Sequence, residues 1–305
     1  MSSRLKSSPM HRHAGVSKIS AARVIPVALI AMAFLACLQP AKSSPLGDQI
    51  NCEIQRLFQQ HSQAVVRVRA SDSVGVRLGS GFFVDAAGTV YTHAGVVLKA
   101  EDVTVNFGGH SLPAKVVASD TRSGIALLKT DCLSPFIPLG NSDAVCVSHP
   151  VLAIGFPGES EVSPTIGLVA GREFHQNGKQ FATSHLRMNM PVQPGYGGAP
   201  VLNMHGEVIG IVAARIGEGG SCHILPIRAA EKVRSDIARY GELRPGWVGV
   251  EVEDAPTPVE GSVARVMDMK PETPAAKSGL QKGDILLGID NNKVASIQDL
   301  VDAAR

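Results

Sequence analysis

The sequence predicts an all-β protein, antiparallel and closed or sandwiched, with a smaller unit appended at its C-terminal end. Three observations carry this. Between residues 64 and 214, short runs rich in Val, Ile and Leu alternate with Gly/Pro/Asp turns at fairly regular intervals. Glycine is plentiful, 31 of 305 residues, and aromatic residues make up only 4%, which suits many tight turns better than a helical bundle. The strand rhythm stops at Leu225-Pro226-Ile227, after which the spacing turns helical and a second unit begins. A chain of this length holds one barrel-type domain plus a smaller module.

The N-terminal 41 residues read as an export signal or anchor. They carry Arg4, Lys6, Arg12, Lys18 and Arg23 and no acid, and include an apolar run from Val24 to Leu38. That run is short of the about 20 residues a membrane span needs, and Pro26 weakens it as a helix. Phe34-Leu35-Ala36-Cys37 matches a lipid-attachment box poorly, so a cleaved signal is the first reading and an uncleaved anchor or lipidated Cys37 the second. Without this segment the formal charge of +2 becomes about 24 basic against 27 acidic side chains. A faintly acidic mature chain gives no electrostatic reason for nucleic-acid binding. Export places Cys52, Cys132, Cys146 and Cys222 in an oxidising compartment, where one or two disulfides or buried thiols are expected. No two of them have metal-ligand spacing, and no metal or cofactor is expected.

The elements follow in order. Residues 42–63 contain an amphipathic lead-in helix, with Ile50, Ile54, Leu57 and Phe58 at helical spacing. Strands are expected over 64–69, 75–84, 89–92, 103–107, 112–118, 125–129, 151–154, 165–170 and 208–214. From Ile227 to Tyr240 a helix places Ala229, Ala230, Val233, Ile237 and Ala238 on one side, and Gly241 stops it. Residues 241–246 form a linker and 247–305 the second unit.

The stretch that organises the main domain, 64–240, is Gln193-Pro194-Gly195-Tyr196-Gly197-Gly198-Ala199-Pro200, a tight loop leading into an apolar hairpin. It resembles the nucleophile loop of the HtrA (DegP-like) branch of trypsin-type serine proteases, whose usual form is Asn-Pro-Gly-Asn-Ser-Gly-Gly-Pro. Other motifs follow the family in order. They are Gly79-Ser80-Gly81-Phe82, Pro138-Leu139-Gly140-Asn141-Ser142-Asp143 and Val151-Leu152-Ala153-Ile154-Gly155-Phe156-Pro157. The resemblance implies a two-barrel, chymotrypsin-type domain, and trimers as partners of one another.

At the catalytic positions the chain departs from the family. The histidine motif, Thr-Asn-x-His-Val-Val, aligns with Thr92-His93-Ala94-Gly95-Val96-Val97, so the histidine slot is Gly95. The aspartate motif aligns with Asp120-Thr121-Arg122-Ser123-Gly124-Ile125-Ala126-Leu127, so its slot is Gly124, and the serine slot is Gly197. A hydrolytic triad needs a nucleophile, a base and a carboxylate that orients the base. His93 lies two residues from the slot, about 6–7 Å along an extended chain, and reads as a surface or loop histidine. Tyr196 is a poor nucleophile, with an unperturbed pKa of about 10. Gly195, Tyr196 and Gly197 still offer backbone N–H groups resembling an oxyanion hole, beside a widened cleft. Met188-Asn189-Met190-Pro191 replaces the family's Thr-Asp-Ala-Ala, with the methionines read as core.

The second unit resembles a PDZ domain that stops before its closing strand. Trp247-Val248-Gly249-Val250 aligns with the carboxylate-binding loop, and Ala275-Ala276-Lys277-Ser278-Gly279-Leu280 begins a PDZ signature. The combined reading is an exported, non-catalytic HtrA homologue that binds polypeptide segments or peptide C-termini, or that modulates an active homologue by co-assembly. A protease with a rearranged site would need His93 within hydrogen-bond reach of a hydroxyl or thiol. A purely structural envelope protein would bind no peptide.

Overall fold

The computed structural model describes residues 45–176, 179–217, 220–244, 249–256, 262–289, 292–294 and 299–300. The chain divides into two units, Met1–Asp48 and Gln49–Arg305, and the predicted signal with Cys37 lies outside the described residues.

Helix α1 (Pro45–His61) buries Leu57 completely, with Ile54 and Phe58 packed beside it, the one-sided pattern its spacing predicts. A 3-10 turn leads into a seven-stranded antiparallel sheet made from β1 (Val65–Ser71), β2 (Val76–Phe83), β3 (Thr89–His93), β4 (Asp102–Phe107), β5 (His110–Pro113), β6 (Lys115–Asp120) and β7 (Ile125–Lys129). The strand order is β5-β4-β1-β2-β3-β7-β6, and a one-turn helix, α2 (Ala94–Val97), follows β3. The single strand expected over 112–118 is therefore two strands on opposite sheet edges. Pro113 has no N–H with which to extend the first pairing, and the chain crosses at Ala114, whose N–H donates to the Val103 carbonyl at 2.9 Å.

The second half closes into a six-stranded barrel from β8 (Pro150–Gly155), β9 (Ser163–Gln176), β10 (Lys179–Asn189), β11 (Pro200–Leu202), β12 (Val208–Ile216) and β13 (Ser221–Pro226). Its order is β10-β13-β12-β11-β8-β9. The fully buried Met188 and Met190 are part of its core, with Leu186, Cys222 and Ile224. Helix α3 (Ile227–Tyr240) buries Ala229, Ala230 and Val233 and ends where Gly241 takes a left-handed φ of 70°. Beyond it, the Arg244 N–H donates to the buried Asp236 carboxylate at 3.2 Å, which also holds Lys232, so the start of the linker is tied back to the helix.

The last region has strands β14 (Val250–Pro256), β15 (Ser262–Met269) and β16 (Ile285–Leu286) in one sheet, and β17 (Gly288–Ile289) with β18 (Asn292–Lys293) in another. A short helix, α4 (Pro274–Lys277), is capped by Thr273, whose hydroxyl accepts the Ala276 N–H at 3.2 Å. Ala264, Val266, Leu286, Val294 and Leu300 form this region's own core.

Cys52, Cys132, Cys146 and Cys222 are free thiols, so of the two alternatives, disulfides or buried thiols, the described residues hold a buried thiol at Cys222 and no disulfide. Cys52 and Cys146 are exposed, whereas Cys222 faces the barrel core, where burial pushes its thiol up to about 12. Among the described residues no helix is long and apolar enough to cross a membrane.

Candidate functional site

The organising loop is held by one buried residue of the other half of the domain. The Ser80 N–H donates to the Gly197 carbonyl at 2.8 Å, and its Oγ donates to the Gly195 carbonyl at 2.8 Å. The same Oγ accepts the Phe156 N–H at 2.9 Å, and the Ser80 carbonyl accepts the Thr92 hydroxyl at 2.7 Å. Ser80 thus joins β2, β3, the end of β8 and the 193–199 loop, with no exposed surface. Sequence reading placed it only inside a Gly-Ser-Gly motif. The flanking glycines were the signal for the close approach, since a Cβ at Gly79 would sit 2.9 Å from the Gly197 oxygen.

Within the loop the Tyr196 N–H donates to Gln193 O at 3.1 Å, Ala199 N–H to Tyr196 O at 2.8 Å and Gly198 N–H to Val212 O at 2.8 Å. Gly198 has φ 92°, and a Cβ there would overlap the Ser80 carbonyl oxygen, so no other residue fits. Of the three N–H groups expected to form an oxyanion-like nest, Tyr196 is therefore excluded: its donor is spent on the turn. Gly195 and Gly197 N–H have no protein acceptor among the described residues, and both glycines are half-buried. Each peptide's N–H points opposite its own carbonyl. The Pro194 carbonyl accepts from Gly158, and the Tyr196 carbonyl accepts from Ala199. The Gly195 N–H therefore points away from the 156–158 segment, and the Gly197 N–H out of the turn. Tyr196 itself is buried in the barrel, its hydroxyl donating to Ser163 O at 2.8 Å, and burial raises its pKa. It is a core residue, not a nucleophile in the cleft.

Gly95, Gly124 and Gly197 come together around this loop, but their surroundings differ. A Cβ on Gly197 would enter open space, with Val96 Cγ2 nearest at 3.9 Å. A Cβ on Gly95 would lie 2.9 Å from His93 Nδ1, and one on Gly124 would lie 3.3 Å from His93 Nε2. The imidazole of His93 therefore occupies the gap between the two glycines. This corrects its reading as a surface histidine: the ring is partly buried, and of the three glycines only Gly197 borders open space. The chain folds this way because His93 ends β3 opposite Ile125 and caps α2, with the Ala94 N–H donating to the Gly124 carbonyl at 2.7 Å.

The state of that imidazole follows from one contact. His93 Nδ1 accepts the Gly95 N–H at 3.1 Å, and burial lowers the ring's pKa. A neutral ring whose Nδ1 accepts carries its proton on Nε2. A triad base needs the opposite tautomer, with Nε2 free to accept from the nucleophile. Among the described residues His93 makes no hydrogen bond to a hydroxyl or thiol. Asp120 does not orient it either, because its carboxylate accepts the N–H groups of Arg122 at 3.0 Å and Ser123 at 3.3 Å. Gly124 has φ 77°, where a side chain on the backbone is strained.

In the C-terminal region, Gly249 and Val250 are described, while Trp247 and Val248 lie outside the described residues. Gly249 has φ 77° and packs on Thr273, and its carbonyl accepts the Lys270 N–H at 3.0 Å. Val250 opens β14 opposite Met269. Sequence reading also missed an ion network on the barrel, in which the Glu173 carboxylate holds Arg187 at 2.5 Å and the buried His223 at 3.0 Å. Its members lie on three strands far apart in the chain, so no local spacing marks it.

Comparison with known proteins agrees with this topology. The family described as a trypsin-like peptidase domain matches residues 79–211, and the PDZ domain family matches residues 265–305. A probable periplasmic serine endoprotease, DegP-like, of Pseudomonas fulva (strain 12-X) is 31% identical over 239 residues, covering 73% of this chain and 49% of the relative. Among solved structures, the HtrA-type protease AlgW with tripeptide matches with TM-score 0.70 at 27% identity, covering 83% of this chain and 88% of that one. The serine endoprotease from Yersinia pestis matches with TM-score 0.62 at 26% identity, covering 83% and 88%. Sheet order, loop and matches together define a trypsin-like serine protease fold carrying a PDZ domain. More particularly, the chain belongs to the HtrA family. It spans about half the length of the curated relatives it matches.

Proposed function

We propose that this chain is an exported HtrA-type protease homologue that binds polypeptide without cleaving it. The observation that carries the reading is the state of the cleft. Gly95, Gly124 and Gly197 stand where the family motifs hold base, orienting acid and nucleophile, and the one nearby imidazole has its Nδ1 taken by the Gly95 N–H. Among the described residues around these glycines, neither proton transfer nor attack on a carbonyl has a side chain placed to perform it. Free N–H groups at Gly195 and Gly197, beside the open space at Gly197, can still hold a peptide carbonyl.

Peptide C-termini are the second class of ligand, through Trp247, Val248, Gly249 and Val250 of the PDZ domain. The periplasmic naming of the relatives and the basic-apolar N-terminus support export. Assembly into trimers, or with an active homologue, is part of the same proposal. The test is to incubate the purified chain with unfolded casein and a fluorophosphonate probe while measuring casein binding. Binding without turnover or labelling is expected. Covalent labelling, or casein turnover that the probe inhibits, would overturn the proposal, and absence of binding would favour a structural envelope role.

A further inference from the structure

The last residue of α1 is a buried histidine that the cleft does not use. His61 is 4% exposed, and its Nε2 is sealed from water with no protein partner among the described residues. The ring lies on Gly206, where a Cβ would sit 2.6 Å from Nε2 and 3.1 Å from Leu57 Cδ2. Gly206 belongs to the 203–207 turn that joins β11 to β12 and is closed by the Asn203 N–H to Glu207 O bond at 2.9 Å. His61 and Leu57 thus contact that hairpin directly, beside Ile54 and Phe58, which pack on the same cluster.

We propose that His61 is an acid-sensitive latch, and that protonation of its ring releases α1 from the 203–207 turn. A neutral imidazole can be sealed against Gly206; a charged one there would have no counter-ion. The charged groups around it do not supply one. On α1, Arg56 is paired with Glu53 and adds a repelling positive charge. On the turn, the Glu207 carboxylate accepts the Asn203 side-chain amide at 2.9 Å, and His205 is exposed. Burial first and Arg56 second lower the ring's pKa from its ordinary value. The docked state therefore binds fewer protons than the released one. Docking is at full strength above the ordinary value of about 6.5 and weakens as pH falls below it toward the depressed value.

Release would bare Leu57, Ile54 and Phe58 and the apolar surface they share with Leu202 and Val208. Leu202 ends β11, the strand that continues from the 193–199 loop, so acid acts at the far end of the strand carrying the cleft. This inference is independent of whether the cleft cleaves or only binds.

The experiment is amide exchange by mass spectrometry on the full mature chain between pH 7.5 and 5.0, expressed as protection factors. Protection in α1 should fall by up to about tenfold per pH unit below about 6.5, the limit for one coupled proton, while α3 stays level. His61→Leu, apolar and without a titrating group, should flatten the α1 profile. A flat profile in the parent chain, or the same slope in His61→Leu, overturns the latch. An NMR titration of the His61 ring in the unmodified chain decides the matter if the variant does not fold. A midpoint below 6.5 is expected, and one at or above 6.5 overturns the proposal.

Discussion

Gly197 and the Gly95/Gly124 pair have unlike surroundings. On the Gly197 side the loop has its turn, its Ser80 anchors, two N–H groups without an acceptor among the described residues, and open space beside the glycine. On the Gly95/Gly124 side the imidazole of His93 fills the space, and Gly124 takes a left-handed φ of 77°. The lesson is that restoring residue identities would act very unequally. A hydroxyl at 197 has room waiting for it, whereas a carboxylate at 124 must fight both the backbone and an occupying ring.

Variants that touch the shared frame should show the largest effects. Gly198→Ala forces a Cβ into the Ser80 carbonyl and the Thr92 hydroxyl at a left-handed φ, and should destabilise the domain by more than about 3 kcal/mol in urea unfolding. A loss below about 1 kcal/mol would show that the loop shifts freely and that the two sides are not held in register. Ser80→Ala removes a fully buried hydroxyl that donates to Gly195 O and accepts from Phe156. The expected cost is about 1–3 kcal/mol by the same assay, together with weaker casein binding.

The restoring substitutions sharpen the contrast directly. Gly124→Asp should cost about 1–2 kcal/mol from backbone strain alone, while Gly197→Ser should stay within about 0.5 kcal/mol of the parent. Equal costs at the two positions would erase the distinction between a filled side and an open one. For the same reason, Gly95→His, Gly124→Asp and Gly197→Ser combined should leave casein hydrolysis at background. Measured turnover in that triple variant would mean that His93 gives way easily. The smallest effect is one of pH. Burial depresses the His93 pKa, so the folded state resists proton uptake and its share of stability falls as pH drops below about 6.5. His93→Gln should remove that part of the pH dependence of the unfolding midpoint, and an unchanged profile would mean that the ring is solvated.

Much of the scaffold was legible in the chain. Valines alternating with polar residues mark β1, and Gly241 marks the end of α3, because period and left-handed caps are local properties. Strands β10 and β13 escaped notice because Ser184, His185 and His223 break their apolar alternation, although all three face neighbours in the barrel. The choice between disulfides and buried thiols stayed open in the sequence for a related reason: compartment and count say nothing about where thiols sit, and Cys222 faces a core while Cys52 faces solvent.

The order of motifs, the glycines at 95, 124 and 197 and the two-part organisation are properties of the sequence itself, since each is carried by adjacent residues. The tertiary structure alone decided that His93 closes one side of the cleft, that Tyr196 spends its N–H on the turn, and that His61 is sealed against Gly206. The first and last depend on pairs, 93 with 124 and 61 with 206, brought within van der Waals range only when separate strands and helices pack, whereas the Tyr196 bond is local to the 193–199 loop. Which side chain fills a gap is settled by volume and hydrogen-bond supply at that meeting, and spacing along the chain carries no record of it.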